Sequence, residues 1–211
     1  MTETSGKEGQ YARKAVDWSN AEYADAHAYL AHRAQLIATL GVALDPGDEV
    51  LDLACGDGGL GEHLLARGLR YAGVDAEPAM VGAARRRLGS RAVVGVGDLN
   101  TFVPPTPVAA TTVFRAIYYA HDRAAFFART ARFSERKLVF DLNPRQYRVA
   151  DVVAELEEAG YGRIVLHPFF VPQTQRLPGP VVALAKLAEH TGPLARLVLR
   201  ARFTYLVAAC R

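Results

Sequence analysis

The chain has 211 residues, half of them hydrophobic and 22% charged, with a formal net charge of +3 at neutral pH. That length suits one α/β domain with a substantial core and is short for two. So small an excess of positive charge gives no reason to expect nucleic acid as a partner. The two cysteines, Cys55 and Cys210, form neither a disulfide framework nor a metal-ligand spacing, so no metal is expected. The first ten residues are polar and lack the apolar core of a secretion signal, and no apolar run approaches the roughly 18 residues of a membrane span. The expected location is cytoplasmic.

Residues 1–18 are expected to be flexible. From 19 to 44 apolar residues recur at helical spacing (Tyr23, Ala26, Leu30, Ala34, Ile37, Leu40), with Ser19 or Asn20 as N-cap. Beyond a turn at Asp45-Pro-Gly-Asp48, short apolar runs alternate with helical patterns, which is the signature of βαβ units around a parallel sheet. Strands are predicted over 50–54, 71–74, 92–96, 110–114 and 137–141, and helices over 60–67, 78–88, 122–133 and 148–159. Pro78 suits a first helical turn, and Gly68, Gly89 and Gly160 serve as stops. The tail predicts strands over 163–166 and 203–209, separated by a proline-rich segment with helical stretches over 181–189 and 193–199. The fold expected is α/β: a Rossmann-like, seven-stranded, mostly parallel sheet with helices on both faces. One domain spans 1–211, with a helical cap over 19–44 and a substrate-lid insertion over 168–199.

Three acids, Asp52, Asp75 and Asp98, fall at the C-terminal ends of three successive predicted strands, the edge where open parallel sheets bind ligands. Glycines 56, 58 and 61 let backbone approach a ligand closely, and the next helix offers its N-terminus. Asp75, about 20 residues past those glycines, is placed to accept from ribose hydroxyls. Gly56-Asp-Gly-Gly-Leu-Gly61 also satisfies the dinucleotide fingerprint G-x-G-x-x-G, so an NAD-dependent oxidoreductase is a natural rival. Against it stand Asp52, which would repel a pyrophosphate but hold an α-ammonium group, and the helical segment ahead of the first strand.

At these residues the sequence resembles the class I S-adenosylmethionine-dependent methyltransferases. Val50-Leu-Asp-Leu-Ala-Cys-Gly-Asp-Gly58 is similar to their first motif, Tyr71-Ala-Gly-Val-Asp75 to the second and Val96-Gly-Asp-Leu99 to the third. The resemblance implies S-adenosylmethionine as cofactor. Asp52 and the Gly56–Gly58 backbone would hold its methionine portion, and Asp75 the ribose. Ala76 and Met80 would lie beside the adenine; Asp98 would accept from the adenine amino group, with Leu99 packed on the ring. Ala54 stands where the family usually has its first glycine, so a slight shift of the cofactor is expected. In similar enzymes the N-terminal helix folds over the cofactor, and Arg33 could pair with its carboxylate.

The fourth strand ends in Phe114-Arg115-Ala-Ile-Tyr118-Tyr119-Ala-His121, which puts Arg115 beside the expected methyl donor. Two roles stand open for it, a surface salt bridge or an anchor for a substrate carboxylate or phosphate. Tyr119 and Tyr118 could wall the pocket. His121 is the first candidate general base and His167 the second. The expected activity is methyl transfer to O, N or C of a small, acidic or lipophilic metabolite. An RNA methyltransferase and a non-catalytic cofactor-binding protein remain as further alternatives. After Pro172 come Arg176, Lys186, Arg196, Arg200, Arg202 and Arg211 against one acid, Glu189, so this segment is also a candidate for weak contact with membrane or lipid.

Overall fold

All seven expected strands form in the computed structural model, which describes residues 18–192, 195 and 203–211. They are β1 (Glu49–Leu53), β2 (Arg70–Asp75), β3 (Val93–Val96), β4 (Val108–Val113), β5 (Ser134–Leu142), β6 (Arg163–Phe169) and β7 (Thr204–Cys210). They build one sheet in the order β3-β2-β1-β4-β5-β7-β6. β1 pairs in parallel with β2 and β4, β2 with β3, and β4 with β5. Only β7 is reversed, lying antiparallel between β5 and β6. β4 is buried along its whole length, as an interior strand covered on both faces must be.

Seven helices are described: α1 (Trp18–Glu22), α2 (Ala26–Thr39), α3 (Gly59–Leu65), α4 (Pro78–Leu88), α5 (Arg123–Ala131), α6 (Val149–Glu158) and α7 (Gly179–Ala188). Successive side chains of each central strand feed opposite faces of the sheet. Val50, Val139 and Ala208 join Leu30, Ile37, Leu64 and Leu88 on one side. Leu51, Phe140 and Val207 join Phe126, Phe127 and Leu156 on the other. Lys137, buried in β5, donates to the carbonyls of Leu40 and Val42 and so ties the end of α2 to the sheet.

Three expectations need correction. The helical pattern over 19–44 is two helices, because the Ala24 amide donates to the Gln173 carbonyl and Asp25 leaves the helical region to cap α2 through Ala28. Ser19 is therefore no cap for the long helix, and its side chain bonds elsewhere. The segment expected from Pro168 begins after Phe169 instead, since β6 continues through Pro168. β6 is an edge strand, where a residue without an amide proton breaks no ladder. The helix expected over 193–199 and the flexibility expected for 1–17 lie outside the described residues.

Candidate functional site

Strand order reverses between β1 and β4, and the loops leaving the strands there meet at the carboxyl edge. Asp52, on β1, is 3% exposed. Its Oδ2 accepts from the Tyr71 hydroxyl at 2.8 Å and its Oδ1 from the Thr112 hydroxyl at 2.7 Å, one donor from each flanking strand. Burial pushes its carboxyl up to about 6, while the two hydroxyls and the charge of Arg33 pull the other way. Asp52 thus supports the glycine loop from below, with one lone pair on each oxygen still uncommitted.

The loop itself is clamped by Asp75, whose Oδ2 accepts from the Gly56 amide at 2.8 Å and Oδ1 from the Glu77 amide at 2.9 Å. Burial raises the Asp75 carboxyl and these amides partly offset the rise. Each oxygen keeps a lone pair for a ligand hydroxyl, which fits a ribose. Asp98 is exposed after β3 and receives both the amide and the side-chain nitrogen of Asn100 on the single oxygen Oδ1, leaving Oδ2 for a ligand. The Asn100 amide bond is the main cause holding its carboxyl below the ordinary range. Leu99 and Met80 are buried and Ala76 is exposed at this edge.

Ala54, Gly61 and Asp57 matter beyond their place in the motif. Ala54 has φ +65°, the conformation a glycine would hold at no steric cost. Gly61 has to be glycine for packing, because a β-carbon there would stand 2.7 Å from the Tyr71 ring. Asp57 is buried and gathers four donors. Ser19 supplies its amide at 2.9 Å and hydroxyl at 2.5 Å, Gly59 its amide at 3.2 Å and Arg87 its Nη2 at 2.8 Å. That knot fastens α1 onto the glycine loop, and Trp18 faces Gly56.

Arg115 follows β4 with φ +54°, its amide held by Asp141 Oδ1 at 2.8 Å. Its guanidinium reaches Glu22 at 3.2 Å and faces the rings of Trp18 and Tyr23, while its Nη1 is buried with no hydrogen-bond partner. Arg33 is 1% exposed. It bonds the Tyr29 hydroxyl at 2.8 Å, stacks 4.2 Å from the Phe114 ring centre and lies 4.0 Å from Asp141, with Nε unpartnered. These two arginines and Asp141 form one cluster under α1 and α2. Tyr119 and His121 belong to a different group: Tyr119 is 42% exposed against Tyr118, its carbonyl accepts from Asn100, and the His121 amide donates to Asn100. The sequence candidates Arg115, Tyr119 and His121 thus fall into two sets.

His167 is not in the open. It and His32 share the buried carboxylate of Glu189, at 3.2 and 2.8 Å, and the Phe170 amide takes the other oxygen at 2.8 Å. A cavity of about 290 Å³ opens nearby, lined by Tyr29, Phe169, Val171, Gln173, Gln175 and Phe203 among others. It lies behind Tyr29, which stacks on Tyr23 with ring centres 4.5 Å apart. Sequence patterns did not single out Thr112, Asp57, Arg87, Asn100, Asp141 or Glu189. Asp141 had a usable signal, being a fourth acid at the end of an apolar strand.

A sheet in this order, with one reversed strand and a glycine loop and acids at its carboxyl edge, defines the class I methyltransferase fold. Comparison with known proteins agrees. A family model described as a methyltransferase domain matches residues 50–137 of the chain. The chain is 46% identical over 57 residues to an uncharacterized methyltransferase of Schizosaccharomyces pombe; that stretch is 27% of this chain and 22% of the relative, so the match spans about a fifth of that protein. Among solved structures, a putative methyltransferase in complex with the Haloferax volcanii Trm112 methyltransferase activator aligns with TM-score 0.64 and 18% identity, over 95% of this chain and 97% of that one. A TehB-like S-adenosylmethionine-dependent methyltransferase from Corynebacterium glutamicum gives 0.63 and 18%, over 98% and 99%. Magnesium protoporphyrin IX methyltransferase from Synechocystis, with bound S-adenosylmethionine, gives 0.56 and 17%, over 98% and 80%.

Proposed function

We propose that the chain transfers a methyl group from S-adenosylmethionine to a small lipophilic metabolite that carries an acidic group. The observation that supports it most is the clamp of Gly56 on Asp75, which presents a carboxylate with one lone pair per oxygen beside a glycine loop. The bound cofactor would supply an electrophilic methyl on a sulfonium. In this reading Asp75 accepts from the ribose and Asp98 from the adenine amino group, with Leu99 and Met80 under the ring and Ala76 at its rim. Asp52 attracts the α-ammonium group through the loop formed by Ala54, Gly56 and Gly58. Arg33, behind the site, sets the field at Asp52 and Asp141.

The aromatic lining of the cavity behind Tyr29 supports a lipophilic acceptor, and its glutamines would fix its orientation. The unpaired Nη1 of Arg115 supports an acidic group on that acceptor. In-line displacement depends chiefly on such positioning. Where the acceptor must lose a proton, His121 would serve as base, with Tyr119 beside it, only for an acceptor that reaches the Asn100 side of the edge, apart from Arg115.

Calorimetric titration with S-adenosylhomocysteine tests this directly. The wild type should bind it and Asp75→Ala should bind about 100-fold more weakly, having lost two charge-assisted hydrogen bonds. Tight binding of NADH with none of S-adenosylhomocysteine would overturn the proposal in favour of an oxidoreductase.

A further inference from the structure

α7 turns most of its large apolar side chains outward, which is unusual for a helix that serves only this chain. Val182 lies inward against the main core and the small Ala185 and Ala188 inward against Phe170, while Val181, Leu184 and Leu187 point out, at 43%, 64% and 66% exposure. Spaced three apart, those three form one stripe, and none of the ten residues of the helix is buried. An amphipathic helix on a monomer normally places the large residues inward.

The arrangement is fixed rather than loose. Glu189 follows the helix directly, and its fully buried carboxylate is held by His32, His167 and the Phe170 amide. Burying a carboxylate is costly unless it is fully partnered, and here the partnering sets which face of α7 looks outward.

Charge indicates what the stripe meets. Among the described residues from 173 to 192 the lysine and arginine side chains are Arg176 and Lys186, and the single acid, Glu189, is buried. An apolar stripe within a basic stretch free of exposed acids is the composition of a segment that lies in an anionic bilayer interface. A second copy of the chain would bring like charges together. Among the described residues no helix is long and apolar enough to cross a membrane, so contact is with the surface.

We propose that α7 docks the chain on an anionic lipid surface through Val181, Leu184 and Leu187. The test is cosedimentation with vesicles of phosphatidylcholine alone and of phosphatidylcholine mixed equally with phosphatidylglycerol, and it does not depend on the methyltransferase reading. The wild type should bind the anionic vesicles at least about tenfold more tightly than the neutral ones. Leu184→Glu combined with Leu187→Glu should lose about tenfold or more of that binding, with an unchanged melting temperature because both leucines are exposed. Absence of wild-type binding, or equal binding by the double variant, overturns the proposal. So does a dimer seen by light scattering without vesicles and abolished in the double variant, which would assign the stripe to a second copy.

Discussion

At Ala54 a β-carbon sits where the backbone favours none. With φ +65° the residue bears a steric cost of about 1–2 kcal/mol, which a glycine would not. Glycine also gives the unfolded chain more freedom, offsetting about 0.4–1 kcal/mol. Ala54→Gly should therefore stabilise the protein by about 0.5–1 kcal/mol in urea unfolding, and a loss of stability would mean that the methyl packing outweighs the strain. Asp52, two residues earlier, gives a pH dependence. With its carboxyl near 6, the charge that attracts an α-ammonium group is lost as pH falls. The Kd for S-adenosylhomocysteine should rise about tenfold between pH 7 and pH 5, and Asp52→Asn should flatten that profile. Unfolding through this group does not explain such a loss. A carboxyl raised in the folded state contributes stability that is full below the unfolded value, about 4, and is lost as pH rises through 6.

At the scale of elements, the interior of the sheet was readable and its margins were not. β1 and β4 are short interior strands whose valines, leucines and alanines outnumber their polar residues, and Pro78 and Asp122 mark the starts of α4 and α5 as expected, Asp122 accepting from the Ala125 amide. Local chemistry decides such features. The break between α1 and α2 depends instead on Gln173, far along the chain, whose carbonyl removes Ala24 from the helix. The same holds at the site. The acids 52, 75 and 98 were legible because strand ends and glycines are local signals. The donors to Asp52 come from two neighbouring strands, and Asp57 gathers Ser19 and Arg87 across 38 and 30 residues. Periodicity carries no information about pairings of that kind.

Across the whole molecule, one carboxylate joins parts that the sheet alone does not. Glu189 is separated from His32 by 157 residues and binds it at 2.8 Å, linking α2 to the β6–β7 connection, while His167 and the Phe170 amide bind it from β6 and just beyond. Burial raises its carboxyl, but these donors outweigh that and hold it below the ordinary range. Glu189→Ala would leave both imidazoles and the Phe170 amide without their buried acceptor. Each such loss costs about 1–3 kcal/mol, and the histidines can recover part of it by reorienting toward water. A net destabilisation of about 3 kcal/mol is expected in urea unfolding, with faster amide exchange concentrated in α7 and the end of β6. Glu189→Gln retains one carbonyl oxygen with two lone pairs and should cost less than Ala, though it turns the other oxygen into a donor and loses the charge. If both variants lose under 1 kcal/mol with exchange unchanged in α7, the carboxylate does not fasten the connection. The helix would then owe its outward stripe to the packing of Val182, Ala185 and Ala188 alone.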